Sequence, residues 1–283
     1  MLRAENSSME STKGDTSLDG REFAGKVVVV TGGSRGIGKG IVLAAAAQGA
    51  RVSFCARKMG VHVQQVVEEA EHLSGPSNAL AVQADVSSEE DVENFFDRTL
   101  QTFGRVDVVI NNAGFYGAGA GPGSLLLQLT TAEWDAVMAT NLTGAFLVSR
   151  RAVKQFLAQG AGGSIVSIGS VSQDGGTGLG AYAVSKAGLL GLTNSIAAQY
   201  GDRGIRAHII VAGFLHTDLN KDTPEKYLQM LIDWGPQKRA GSVEEIASVA
   251  LFLASPRCAL TNGAPIFASG GGKDIPAYLV KIN

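Results

Sequence analysis

Short apolar runs rich in β-branched residues alternate along the chain with longer helix-compatible stretches, and this alternation strongly constrains the fold. The runs are KVVVV (26–30), RVSFC (51–55), LAVQADV (80–86), VDVVI (106–110), SIVSI (164–168), IRAHIIV (205–211) and APIFA (264–268). Between them lie segments such as GIGKGIVLAAAA, SSEEDVENFFDRTLQTF and AYAVSKAGLLGLTNSIAAQY. Continuous apolar strands separated by helices indicate a parallel sheet covered on both faces. We therefore predict one doubly wound α/β domain over residues 23–283.

Composition points to small-molecule partners. The chain has 283 residues, 45% of them hydrophobic, which is enough for a large core, and a net charge of −2. Such a charge gives no basic footprint for nucleic acid or an anionic membrane. No apolar run approaches the roughly 20 residues of a membrane helix. We expect neither a nucleic-acid partner nor membrane insertion.

The cysteines, histidines and first residues favour a cytoplasmic protein without metal. Cys55 and Cys258 lie far apart in apolar surroundings, which indicates buried thiols in a reducing compartment. The four histidines lack metal-site spacing. Residues 1–22 are polar and mixed in charge, without the apolar region of a secretory signal or the acid-poor character of a transit peptide. We expect them to form a flexible arm.

The segment TGGSRGIG (31–38) predicts a phosphate-binding loop. It follows the first strand directly and opens a helix, which is the arrangement of a Rossmann-type dinucleotide fingerprint. Glycines permit a sharp turn and a close approach to pyrophosphate, and the helix N-terminus offers N–H groups to it. An ordinary glycine-rich turn is the alternative, since the chain has 37 glycines. The predicted cofactor contacts here are Gly32, Ser34, Arg35, Gly36, Ile37 and Gly38.

The end of the second strand predicts NADP(H) rather than NAD(H). NAD-preferring sites place an acid there to accept from the ribose 2′-hydroxyl, whereas this chain has Ala56 followed by Arg57. Together with Arg35, Arg57 could bind a 2′-phosphate, which an acid would repel. The alternative is that Arg57 and Lys58 only solvate a loop.

Two further strand ends extend the predicted cofactor site. Asp85 and Val86 follow the third run, where the carboxylate could meet the adenine amino group or cap the next helix. The segment NNAG (111–114) follows the fourth run and suits a backbone that passes close to the ribose; an Asn-rich turn is the alternative. The cofactor contacts predicted from it are Asn112, Ala113 and Gly114.

Over nearly all of residues 24–272 the chain resembles the short-chain dehydrogenase/reductase family. The resemblance rests on TGGSRGIG, Asp85-Val86, NNAG, Asn141 in NLTGAF, Ser170 in SIGSVS, and Tyr182 with Lys186 in YAVSK. It implies a seven-stranded parallel sheet, a catalytic set of Asn141, Ser170, Tyr182 and Lys186, and a homotetramer. Parts of the chain look like 17β-hydroxysteroid dehydrogenases and others like 3-oxoacyl carrier-protein reductases, so the substrate stays open.

The same resemblance implies contacts near the nicotinamide and exposes two departures. Tyr182 and Lys186 would also contact the cofactor, with Lys186 on the nicotinamide ribose, and Gly213 and Thr217 would lie beside the nicotinamide. The family usually has Asn and Pro where this chain has His208 and Ala212. Loss of the proline predicts a less preorganised loop.

The residue types predict the chemistry of a carbonyl reductase or alcohol dehydrogenase. Tyr182 and Lys186 are four apart on a predicted helix and share one face. An ammonium and an oxidised nicotinamide both favour the phenolate, so Tyr182 could donate a proton in reduction and accept it in oxidation. Ser170 could stabilise charge on the substrate oxygen, and Asn141 could hold a water that links Lys186 to solvent.

The predicted substrate walls offer few polar anchors. A lid is expected over 214–236, where apolar residues recur with partly helical spacing, although core or subunit packing explains each equally well. They are Phe214, Leu215, Leu219, Tyr227, Leu228, Met230, Leu231 and Trp234. The glycine-rich loop 115–124 would face it. An apolar ketone or secondary alcohol, steroid-like or otherwise lipophilic, is the expected substrate. A 3-oxoacyl thioester reductase and a non-catalytic NADP(H) sensor or scaffold are the alternatives.

Overall fold

The computed structural model describes residues 21–117, 126–175, 179–219 and 225–271. Most of the predicted N-terminal arm, the loop 118–125 and residues 220–224 of the predicted lid lie outside these ranges. No helix in the described part of the chain is long and apolar enough to cross a membrane.

Seven strands form a single parallel sheet, as the sequence and the resemblance predict. They are β1 (Val27–Thr31), β2 (Arg51–Ala56), β3 (Ala79–Gln83), β4 (Val108–Asn111), β5 (Gly163–Ser170), β6 (Ile205–Ala212) and β7 (Pro265–Ala268). Their spatial order is β3-β2-β1-β4-β5-β6-β7, with every neighbouring pair parallel. The strand order reverses at β1, so a crevice for ligands is expected beside its carboxyl end.

Helices cover both faces of this sheet. They are α1 (Gly36–Ala47), α2 (Val61–Ser74), α3 (Glu89–Phe103), α4 (Thr131–Met138), α5 (Gly144–Gln159), α6 (Gly180–Tyr200), α7 (Glu225–Trp234) and α8 (Val243–Ala254). In β1, Val28 and Val30 pack with α1, α2 and α8, while Val27 and Val29 pack with α3 and α5. Because both sides of the central strands β1, β4, β5 and β6 are buried, these strands read as mostly apolar runs.

Local signals explain where the helices begin. The Ser88 side chain accepts a hydrogen bond from the N–H of Asp91 at the start of α3, and Ser242 and Glu245 form a reciprocal capping box at the start of α8. Asp85 therefore does not cap α3, which was one of its two predicted roles. The third strand also ends earlier than the apolar run suggested, at Gln83, which leaves Asp85 in a loop at the carboxyl edge.

Candidate functional site at the carboxyl edge of the sheet

The loop between β1 and α1 has the backbone shape that the glycine pattern predicts. Gly32 and Gly36 have φ values of +67° and +52°, in the left-handed region that favours glycine. A Cβ at Gly38 would overlap the Gly32 carbonyl oxygen and lie 2.5 Å from the Asn112 amide nitrogen. No acidic residue occupies the first turn of α1, so its N-terminal N–H groups suit a phosphate. The predicted residues Ser34, Arg35 and Ile37 complete this loop and first helical turn.

Two exposed arginines lie at neighbouring strand ends. Arg35 immediately precedes α1, and its side chain caps nothing. Arg57 follows β2 directly, after the buried Ala56. Because β1 and β2 run in parallel and pair side by side to their ends, both arginines belong to the same edge. Neither guanidinium donates a hydrogen bond to a residue that the structure describes, so both are available to an anion.

Asp85 lies at the same edge with its carboxylate already oriented. The carboxylate accepts hydrogen bonds from the Ser87 N–H (3.0 Å) and hydroxyl (2.7 Å). Partial burial raises the pKa of Asp85, but these hydrogen bonds and the charge of Arg57 outweigh it and lower the pKa below its ordinary value. The neighbouring Val86 is buried and contacts the start of α5, where a Cβ at Gly144 would lie 2.7 Å from its side chain. Asp85 thus presents an ionised acceptor.

The segment after β4 is tied to the glycine loop. The Asn112 side chain donates to the carbonyl oxygens of Thr31 (2.9 Å) and Gly32 (3.1 Å). The Thr31 hydroxyl in turn accepts from the backbone N–H groups of Asn112 and Ala113, each at 3.0 Å. The Asn112 amide therefore fixes one loop against the other, and this segment would meet a ligand through its backbone.

Ser170, Tyr182 and Lys186 converge where β5 ends beside α6. Ser170 is the last residue of β5, and its hydroxyl lies close enough to Tyr182 to lower the pKa of the phenol. Tyr182 and Lys186 lie one turn apart on α6, and both are buried. The Lys186 Nζ atom lies 5.6 Å from the centroid of the Tyr182 ring and donates to the Ile168 carbonyl oxygen at 2.7 Å. The structure brings these three predicted residues together.

Asn141 lies in a π-helical turn, Ala139–Thr143, between α4 and α5. Its side-chain oxygen accepts from the Phe115 N–H, and its nitrogen donates to the Phe115 carbonyl oxygen, each at 3.0 Å. The nitrogen also donates to the Ser185 hydroxyl at 3.1 Å. A Cβ at Gly114 would lie 3.2 Å from the Asn141 oxygen and 3.5 Å from Lys186 Nζ. Asn141 thus adjoins Lys186, but its amide clamps the backbone after β4, a contact that the sequence did not indicate.

The end of β6 completes the edge. A Cβ at Gly36 would lie 3.7 Å from the Thr217 side chain, so Thr217 adjoins the glycine loop. Gly213 lets the chain after β6 pass close to the chain after β7, because a Cβ at Gly213 would lie 2.7 Å from the Ser269 backbone. Ala212 is buried and pairs with both β5 and β7, so the strand continues through the position where the family has proline.

Comparisons with known proteins agree with this architecture. Residues 32–273 match the family model described as Enoyl-(Acyl carrier protein) reductase. Glucose 1-dehydrogenase 2 of Bacillus subtilis is 33% identical over 92% of this chain and 99% of its own. A 3-oxoacyl-[acyl-carrier-protein] reductase of Synechocystis is 36% identical over 87% of this chain and 96% of its own. The chain belongs to the short-chain dehydrogenase/reductase family. It is accordingly an oxidoreductase that acts on CH–OH groups with a nicotinamide cofactor.

A solved member of the family gives a three-dimensional comparison. The structure of a short-chain dehydrogenase from Burkholderia cenocepacia in complex with NADP has a TM-score of 0.80. The two sequences are 32% identical, and the match covers 89% of this chain and 99% of the Burkholderia chain. The glycine loop, the α1 N-terminus and the ionised Asp85 fit a dinucleotide of this family.

Burial dominates the proton affinities of the short-chain dehydrogenase pair Tyr182 and Lys186. Burial raises the pKa of Tyr182, Tyr116 raises it further, and the Ser170 hydrogen bond opposes both. Burial also lowers the pKa of Lys186 to about 8. The sequence argument expected the ammonium to favour the phenolate, whereas among the protein's own groups the cost of burying either charge is larger.

Sequence reasoning missed Tyr116, which lies beside the predicted catalytic set. Its ring meets the Tyr182 ring edge-on, with centroids 4.6 Å apart and an interplanar angle of 73°. Phe115, Tyr116 and Trp134 all pack against the buried cluster that contains Tyr182. The pair FY directly after NNAG was the available signal, because it places aromatic side chains at the end of β4.

The predicted lid is partly packed and partly exposed. Leu215 and Leu228 are buried, whereas Leu219, Tyr227 and Met230 are exposed. Packing therefore explains some of these residues, and the others are available to a ligand or a partner. The side chain of Trp234 and the facing loop 118–125 lie outside the described part of the structure.

Proposed function

We propose that the protein is an NADP(H)-dependent carbonyl reductase or alcohol dehydrogenase for apolar ketones and secondary alcohols. One observation supports this proposal. The buried phenol of Tyr182 lies beside the buried ammonium of Lys186 and the hydroxyl of Ser170, at the sheet edge that also holds the glycine loop. A buried phenol with a partnered hydroxyl is suited to hold a proton at the oxygen of a bound carbonyl.

Each residue of the site would have a separate role in the reaction. The bound nicotinamide supplies the hydride in reduction and takes it up in oxidation. Tyr182 donates its proton to the carbonyl oxygen, or accepts it from the alcohol. Ser170 donates a hydrogen bond to the same oxygen and stabilises the negative charge that develops there. Lys186 holds positive charge next to the phenol, and Asn141 keeps the adjoining backbone in place.

Residues from several loops at this sheet edge would hold the cofactor. Backbone N–H groups of the glycine loop and the start of α1 would receive the pyrophosphate, and the segment Asn112–Gly114 would hold the ribose. Asp85 would accept from the adenine amino group, and Gly213 and Thr217 would hold the nicotinamide. Arg35 and Arg57 favour a 2′-phosphate, since guanidinium groups bind phosphate oxygens in pairs and Ala56 offers no carboxylate to a ribose hydroxyl.

The surroundings of Tyr182 support an apolar substrate. Leu129, Trp134 and Leu179 pack, together with Tyr116, against the buried cluster that contains Tyr182, and none carries a charge. A pocket with such walls binds carbonyl compounds mainly by excluding water. Assembly as a homotetramer and a cytoplasmic location stay predictions.

A second candidate is a reductase of 3-oxoacyl thioesters. The 36% identity to the Synechocystis enzyme named for that reaction favours it. A third, a cofactor-binding sensor or scaffold without turnover, is disfavoured by the assembled Ser170, Tyr182 and Lys186.

The first experiment titrates the protein with NADPH and NADH by fluorescence and then measures NADPH consumption with a steroid ketone, a quinone and a 3-oxoacyl thioester. We expect tighter NADPH binding and turnover of an apolar ketone. Consumption with the thioester alone would favour the second candidate, and binding without turnover would favour the third.

Tyr182→Phe is the matched variant for this experiment, because it removes one oxygen and keeps the ring. It should lower kcat by about 100-fold or more, as loss of a general acid does, and leave NADPH binding intact. Turnover at the wild-type rate would exclude Tyr182 as the proton donor.

A further inference from the structure

Tyr116 makes a direct contact with Tyr182 from a separate part of the chain. Tyr116 lies in the segment after β4, whereas Tyr182 is in the first turn of α6. Their rings pack edge-to-face at 4.6 Å, a distance and angle typical of a favourable aromatic pair. Such a contact restricts the rotation of the Tyr182 ring.

The backbone that carries Tyr116 is itself held in place. Both backbone polar groups of the preceding residue, Phe115, are hydrogen-bonded to the Asn141 side chain at 3.0 Å. Asn141 also binds the hydroxyl of Ser185, which in turn donates to the Tyr182 carbonyl oxygen at 2.7 Å. The two aromatic residues are therefore connected through Asn141 and Ser185 as well as through their rings.

We propose that Tyr116 is a positioning residue that orients the Tyr182 phenol and shields it from water. This inference rests on the proposed function only in taking Tyr182 as the reacting group. The aromatic ring of Tyr116, rather than its hydroxyl, orients and shields Tyr182, because the two side chains touch through their rings.

Among the apolar and aromatic residues packed against the cluster of Tyr182, Tyr116 has a ring-to-ring contact with Tyr182 itself. The ionisable groups recorded around the phenol in the described chain are Lys186 on α6 and Tyr116 itself, and Ser170 on β5 adds a hydrogen bond. Lys186 and Ser170 are polar groups, whereas Tyr116 places an aromatic ring directly against the Tyr182 ring. Because burial is the largest cause of the raised pKa of Tyr182, removing the Tyr116 ring should admit water and lower that pKa.

Two substitutions separate the ring from its hydroxyl. Tyr116→Ala should lower kcat on the order of tenfold, as loss of alignment does, with little change in KM or NADPH affinity. It should also move the midpoint of the pH–rate profile to lower pH by about half a unit or more. Tyr116→Phe should keep kcat within about twofold, since it keeps the edge-to-face pair. Equal losses in both variants would overturn the proposal.

A measurement without turnover separates this inference from the proposed function. Nitration by tetranitromethane, mapped by mass spectrometry, reports how accessible Tyr182 is. We expect Tyr182 to be modified several-fold faster in Tyr116→Ala than in the wild type or Tyr116→Phe. Tyr200→Ala, at the far end of α6, controls for general loosening and should leave Tyr182 protected. If Tyr182 is nitrated equally in all four proteins, Tyr116 does not shield it, whether or not any ketone is reduced.

Discussion

At the scale of single residues, we expect cofactor preference to depend on exposed charges at the ends of β1 and β2. A charged hydrogen bond to phosphate contributes about 1.5–3 kcal/mol, which corresponds to roughly a tenfold to hundredfold change in affinity. Arg57→Ala should therefore weaken NADPH binding by about tenfold or more and leave NADH binding nearly unchanged, as fluorescence titration would show. Arg98→Ala removes an equally exposed arginine from α3, away from this edge, and should change neither affinity. An equal loss for both cofactors would mean that Arg57 does not contact a 2′-phosphate.

The sequence predicted which residues lie close together where those residues share one element. The resemblance singled out Tyr182 and Lys186, their spacing predicted a shared helix face, and the structure places them one turn apart on α6. The contact between Tyr116 and Tyr182 joins residues that are 66 positions apart in the sequence. The hydrogen bond between Asn141 and Phe115 joins residues that are 26 positions apart. Local patterns carry no information on such contacts, because they depend on how α4, α6 and the β4 loop pack together.

At the scale of elements, two helical glycines should respond in opposite ways to alanine. Gly38 in α1 has no room for a Cβ beside the Gly32 carbonyl oxygen, whereas Gly191 in α6 has nothing within 4 Å. Gly191→Ala should raise the free energy of unfolding by about 0.5–1 kcal/mol through helix propensity. Gly38→Ala should lower it by about 1–3 kcal/mol through overpacking and weaken NADPH binding. Urea denaturation measures both, and stabilisation by Gly38→Ala would show that the loop can move aside.

Element type was predictable because apolar runs and capping residues are local, but element ends were less so. The run LAVQADV suggested a strand through Val86, yet pairing with β2 ends at Gln83. The backbone N–H of Asp85 instead donates a hydrogen bond to the Asp91 carboxylate at 2.8 Å. A side chain six residues ahead thus competes with the sheet for that N–H, and apolar character alone does not reveal it.

At the scale of the whole molecule, stability should fall in mild acid because of His208. The side chain has no exposed surface, and burial, aided by the charge of Arg206, lowers its pKa from 6.5 to about 4. Arg206 also binds the carbonyl oxygens of Leu253, Ala254, Ser255 and Cys258. Between pH 6.5 and 4 the unfolded chain binds a proton that the folded chain does not, so stability is lost as the pH falls.

The expected loss across this window is on the order of 2–3 kcal/mol. Urea denaturation at several pH values would measure it, with His208→Asn as the matched variant because asparagine does not titrate. The variant should show a flatter dependence between pH 6.5 and 4.5. The same slope in both proteins would assign the acid sensitivity to other groups.

The order of strands in the sheet also has a consequence for synthesis. Strands β1 to β4 end at residue 111, whereas the serine, tyrosine and lysine of the site come from residues 170–186. The ribosome therefore releases the glycine loop, both arginines and Asp85 before any of those three residues has left the exit tunnel. The segments that we propose to bind the phosphates and adenine are therefore made before the residues that we propose to handle the proton.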